Sequence, residues 1–234
     1  MSNTTLHNEN VSVTLKSLGA ELTSIKDASG TEYLWQGNPE FWSGQAPVLF
    51  PIVGCLRNGT ATIGDNKTCS FGRHGLARRL EFDLVSSSDT SITYSLKAND
   101  KTKEQYPYDF ELQMTYELTE HGVKVSHTVI NHDSVVMPYC VGGHPAFNCP
   151  VFENESFEDY IVEFEQPENA ACAQLTEDGL INNADRVSVL ENEAVIPVRH
   201  SLFYKDALVF DALKSRKSCS ETQENWSWYF SFFP

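Results

Sequence analysis

The feature that most restricts this chain is a two-residue rhythm. In "DFELQMTYELTE" the apolar residues Phe110, Leu112, Met114, Tyr116 and Leu118 alternate with polar ones, and an extended strand is the conformation that puts every second side chain on one face. A helix would scatter these five around its surface. The same alternation runs through Val11, Val13 and Leu15, and through Ile92, Tyr94 and Leu96. After the long run, His121-Gly122 predicts a turn into a partner strand carrying Val123, Val125, His127 and Val129, an antiparallel hairpin. Asn58-Gly59 and Asp65-Asn66 mark further turns. Helical spacing is confined to short stretches around residues 101–106 and 201–206. The expectation is an all-β fold, and many short strands joined by polar turns suit a large two-sheet antiparallel β-sandwich better than a small barrel.

With 234 residues, 41% hydrophobic and 12% aromatic, the chain can bury one substantial core. No repeat, low-complexity block or linker divides it, so it reads as a single domain over residues 1–234. Thirty-two acidic against seventeen basic residues give a formal charge of −15, which repels nucleic acid and anionic membrane surfaces. The expected partner is therefore a small molecule, neutral or bound at a local basic spot, with no nucleic acid and no membrane. The opening residues lack the cationic start and apolar run of a secretion signal, which makes the cytoplasm the default location. Six cysteines without a CxxC spacing imply reduced thiols, not a disulfide framework or a zinc site.

Two segments interrupt the alternation. In "FGRHGLARRLEF", residues 71–82, His74 precedes a glycine and is soon followed by Arg78 and Arg79. In "VGGHPAFNCP", residues 141–150, His144 stands between a glycine pair and Pro145. Glycine permits close backbone approach, and proline pushes the preceding residue towards an extended conformation, so the His144 side chain is aimed by its neighbours. An imidazole titrates near neutrality, which suits it to giving and taking protons. From pattern alone, a histidine near a strand end is more often a satisfied structural residue, and a second one in a similar break shifts that balance only modestly. His7, His121, His132 and His200 read as solvated or structural. The aromatic stretch of residues 38–54 could line a sugar site, although Trp42, Phe50 and Ile52 also suit a buried sheet. No GxSxG, P-loop, GxGxxG or HExxH motif is present, and the acidic runs "ENESFEDY" and "ENEA" read as wet faces.

"APVLFPIVGCLRNG", "GRHGLARRLEF", "VGGHPAFNCP" and "DALVFDALKSRK" occur here in the order and rough spacing of the aldose 1-epimerase family. The chain resembles its bacterial branch near the LacX proteins from the amino terminus to about Lys217. The resemblance implies a galactose mutarotase-like β-sandwich and an enzyme that interconverts the anomers of an aldose without a cofactor or a metal. It implies that His144 is the general acid and that His74 hydrogen-bonds the sugar near its ring oxygen. It further implies that Asp206 grips a sugar hydroxyl and that Arg78 assists binding. The family often carries an arginine where Cys55 stands; Arg57, two residues on, is the substitute candidate. A non-catalytic sugar-binding sandwich and a hexose 6-phosphate epimerase stay open as alternatives, the latter because Arg73, Arg78 and Arg79 cluster in sequence.

The family's general base, a glutamate several strands after the "LKSRK" motif, has no counterpart in residues 218–234. One permitted set of codons for that tail, read one nucleotide later, encodes VALKHKKTGHGISLSF, which resembles the next family hairpin. The expectation is a frameshift after Lys217, the loss of the last strands and low or absent mutarotation, with neither Glu221 nor Glu224 promoted to base. A third outcome is a remnant that misfolds.

Overall fold

The structure is a computed structural model; it describes residues 2–64, 66–222 and 227–231, with the backbone alone at residue 217 and from residue 219 onward. Asp65 and the side chains of Glu221 and Glu224 therefore lie outside the described residues. The chain packs as two compact units, Met1–Asn148 and Cys149–Pro234.

The first unit holds β1 (Asn3–His7), β2 (Val11–Lys16), β3 (Glu21–Asp27), β4 (Val48–Leu49), β5 (Thr60–Ile63), β6 (Lys67–Ser70), β7 (Asp83–Ser87) and β8 (Ser91–Lys97). It continues through the helix α1 (Asp100–Gln105), then β9 (Phe110–Leu118), β10 (Val123–Asn131) and β11 (Gly142–Gly143). The strands form two main sheets, β1-β2-β3 and β10-β9-β8-β7, and two small ribbons, β11-β4 and β5-β6. All of these pairings are antiparallel. The alternation read from the sequence is the burial pattern observed. Val13, Leu15, Ile92, Phe110, Leu112 and Met114 have no exposed surface, and they share one core with Phe50 and Tyr106. The β9–β10 hairpin forms as expected, with Leu118 opposite Val123 and the Thr119 N–H on the Gly122 carbonyl.

The short helix is better capped than its spacing suggests. Asn99 accepts from the Thr102 N–H at 3.1 Å while Thr102 Oγ1 accepts from the Asn99 N–H at 2.8 Å, the reciprocal arrangement of a capping box. A second device sits on β9. Glu111, almost fully buried, accepts from Ser95 Oγ and Gln113 Nε2, each at 2.8 Å, and lies 3.2 Å from His132 Nε2. These donors favour its ionised form and hold its pKa down to about 2. His132 is thus structural, as its sequence context implied.

The second unit holds β12 (Tyr160–Leu175), β13 (Ile181–Pro197), β14 (Lys217–Thr222) and β15 (Ser227–Ser231) in the antiparallel order β13-β12-β14-β15. Its core is small, centred on Phe164, Leu190 and Ile196. The "DALKSRK" stretch is pinned to β12. Glu168, buried, accepts from the N–H groups of Lys214 at 3.0 Å and Ser215 at 2.6 Å. Arg186 on β13 donates twice to Asp211, at 3.0 and 2.6 Å, and once to the Ala171 carbonyl. His200 stacks on Phe157 with ring centroids 4.4 Å apart, again a structural role.

Two stability outcomes follow. Phe110 packs 5.1 Å from the Phe50 ring and 5.7 Å from that of Tyr106, so Phe110→Ala is expected to cost ~3–5 kcal/mol in urea unfolding. Glu111 has a folded pKa below its ordinary 4.5, so its contribution is full above that value and is lost as pH falls towards about 2. Glu111→Gln should shallow the acid limb of the stability profile; an unchanged limb would contradict this assignment.

Candidate active site

Both interrupted segments hang on one stretch of backbone, residues 47–54. The Phe50 carbonyl accepts from the N–H groups of Leu76 at 2.9 Å and Ala77 at 3.2 Å, and the Gly54 carbonyl accepts from the His74 N–H at 2.9 Å. His74 and Gly75 both adopt left-handed backbone, at φ 71° and 74°. Gly75 has no alternative, because a Cβ there would lie 2.2 Å from the Phe50 oxygen. On the same stretch, β4 pairs with β11, and the Pro47 carbonyl accepts from the His144 N–H at 3.1 Å. Just beyond, the Ala146 N–H reaches the Gln45 carbonyl at 2.9 Å and the Cys140 N–H reaches that of Pro51 at 2.9 Å.

This arrangement brings the two imidazoles together, with ring centroids 5.4 Å apart and planes inclined by 58°. His74 is half-buried, and its Nδ1 meets the Val53 carbonyl oxygen. A carbonyl can only accept, so Nδ1 carries the proton and Nε2 is left with its lone pair. Burial is the largest influence on the His74 pKa and lowers it. The Val53 contact opposes that effect, while the nearby charges of His144, Arg78 and Arg73 add to it. These effects together favour the neutral form of His74. His144 is exposed, and its ring lies 5.1 Å from that of Trp42.

The other candidates distribute unevenly. Arg78 sits in the turn Ala77–Arg79, close enough for its charge to act on His74, and its Nε is buried without a hydrogen-bond partner among the described residues. Arg57 is exposed in the turn Arg57–Gly59 ahead of β5, and the described contacts of the two rings do not include it. Cys55 instead accepts from Arg73 Nε at 3.2 Å, so an arginine from another place in the chain reaches the position for which Arg57 was the substitute. Asp206 belongs to the second unit, exposed and left-handed at φ 74°, with its Oδ1 accepting from the Ala207 N–H at 2.8 Å. There it lines a cavity of about 590 Å³ with Val195, Arg199, Leu202 and Lys205. Neither imidazole borders that cavity, and the histidine pair is the better guide to chemistry because volume alone confers none. Of the aromatic stretch, Phe50 is core and Trp42 is the residue beside the imidazole, a distinction the sequence does not carry.

An antiparallel all-β protein presenting paired imidazoles is the class these observations define. A sequence profile of the aldose 1-epimerase family matches residues 2–214, and the chain belongs to that family. It is 43% identical over 217 residues to the plasmid-encoded protein LacX of Lactococcus lactis subsp. lactis, covering 90% of this chain and 73% of that protein. Its fold superposes with a TM-score of 0.89 on a galactose mutarotase related enzyme from Lactobacillus acidophilus, at 32% identity over 96% of this chain and 75% of the other. A galactose mutarotase-like protein from Lactobacillus casei gives 0.88 at 29% identity, over 97% of this chain and 78% of the other. The fold is the galactose mutarotase-like one. No helix among the described residues is long and apolar enough to cross a membrane.

The charge balance at His74 can be measured. Its pKa is expected below the ordinary 6.5 by NMR titration, and Arg78→Met should raise it by removing a repelling cation. A pKa that does not move would show that the guanidinium does not act on this ring.

Proposed function

We propose that the chain interconverts the α and β anomers of a free hexose such as galactose or glucose, with His144 as general acid. The 5.4 Å approach of His74 and His144 supports this reading. Protonated His144 gives its proton to the ring oxygen as the C1–O bond breaks and the electron pair passes to that oxygen. The anomeric hydroxyl loses its proton to water, and its electrons form the aldehyde. Rotation about C1–C2 and closure on the opposite face reverse each transfer. Neutral His74 accepts a hydrogen bond from a hydroxyl near the ring oxygen through Nε2, and Arg78 and Arg57 bind remaining hydroxyls. The described contacts of the two rings include no carboxylate, so no side chain is assigned as the base, and exchange is expected to be slow but above that of buffer. No cofactor takes part.

A hexose 6-phosphate is the second reading, favoured by the charges of Arg73 and Arg78 acting on His74. Polarimetric decay of freshly dissolved α-galactose tests both. The protein should accelerate it, and His144→Gln should remove ~10²-fold or more of the protein-dependent rate, the usual share of a positioned acid. Inhibition by glucose 6-phosphate at concentrations where glucose has none would favour the phosphorylated substrate. Sugar binding with decay no faster than in buffer would replace the enzyme reading with a non-catalytic sugar-binding sandwich.

A further inference from the structure

The two imidazoles are held in different ways. The Val53 carbonyl ties His74 at Nδ1, whereas among the described residues no hydrogen bond reaches either ring nitrogen of the exposed His144. An imidazole without such a tether has a broad torsional well about its last bond, and a proton donor that swings loses the alignment its reaction needs. Packing must supply what hydrogen bonding does not. Among the described residues two rings pack against His144: His74, and Trp42 with centroids 5.1 Å apart and planes inclined by 50°.

Trp42 is itself anchored. The Asn38 carbonyl accepts from the N–H groups of Phe41 at 3.1 Å and Trp42 at 2.9 Å. The Trp42 carbonyl accepts from the indole N–H of Trp35 at 2.7 Å. The backbone N–H of Trp35 in turn donates to the Ala146 carbonyl at 2.9 Å, two residues past His144. One aromatic pair therefore ties the loop of Trp42 to the segment that carries the imidazole. The direction of the Trp42 ring depends on Gly44. A Cβ at that glycine would lie 2.4 Å from Cζ2 and 2.7 Å from Cε2 of the indole, so the ring folds back over a residue that has no side chain to obstruct it.

From this we infer that Trp42, seated by Gly44, is a positioning residue for His144: it fixes the direction of the imidazole and does not bind the sugar. The inference rests on the acid role proposed for His144. A role in positioning lowers kcat and leaves KM nearly unchanged, whereas a stacking platform for the sugar would raise KM.

The test uses the full chain in four variants: Trp42→Ala, Trp42→Phe, Gly44→Ala and, as a control, Val136→Ala at a residue that is 83% exposed. Galactose anomer exchange should lose ~10–100-fold in kcat in Trp42→Ala, with KM within about twofold, the size of effect that a slight misplacement produces. Trp42→Phe, which keeps a flat ring, should recover most of it, and Gly44→Ala should resemble Trp42→Ala although it removes no atom from the site. In carbon-detected histidine spectra the His144 ring resonance should carry the ring-current displacement of the indole and lose it in Trp42→Ala and Gly44→Ala, but keep it in Val136→Ala. An unmoved His144 resonance in Trp42→Ala overturns the inference, and so does a raised KM with kcat intact. If the parent chain exchanges anomers no faster than buffer, the acid role fails by itself, and the resonance alone then decides whether Trp42 orients the ring.

Discussion

The backbone of residues 47–54 is the feature on which the rest of the site depends. Its carbonyls are shared between two distant parts of the chain. Phe50 and Gly54 hold the turn of His74, and Pro47, together with the β4–β11 pairing, holds His144. Because both segments bond to one short run of backbone, neither can shift far without disturbing it, so the spacing of the imidazoles is a property of the scaffold and not of the two side chains. The aromatic core beneath, where Phe50 meets Phe110 and Tyr106, gives this stretch its rigidity. Interiors packed to crystal density resist small displacements, and that resistance passes to the two rings above.

Electrostatics then divides the pair. Burial and neighbouring cations favour the neutral form of His74, and the Val53 carbonyl selects the tautomer with Nε2 as the acceptor. His144 is open to solvent and to a ligand. Two histidines of the same chemistry thus acquire different capacities from their surroundings, the usual way in which one residue type serves two roles.

The sequence made the first unit legible and the second much less so. In β2, β8 and β9 one face is fully buried and the other is not, and that difference prints a two-residue period directly. β13 is long but largely exposed, and its pairing with β12 shifts register four times, which breaks the period into fragments. The helix at Asp100–Gln105 had a readable signal in Asn99 and Thr102, the two members of its capping box. The site was legible only in part. Glycine and proline around His74 and His144 mark constrained backbone, but no spacing rule says that two residues so far apart share a place, and the family motifs supplied that connection. Arg73 on Cys55 and Trp42 on His144 arise from long-range packing, for which a linear pattern has no mark.

The central claim is that both imidazoles face one sugar. Titrating galactose into histidine-labelled protein measures this most directly, by following the ring resonances of His74 and His144 together. The account predicts that both move along a single saturation curve while those of His121 and His132 stay still. Saturable binding of the sugar that leaves the His74 and His144 signals unmoved would contradict it.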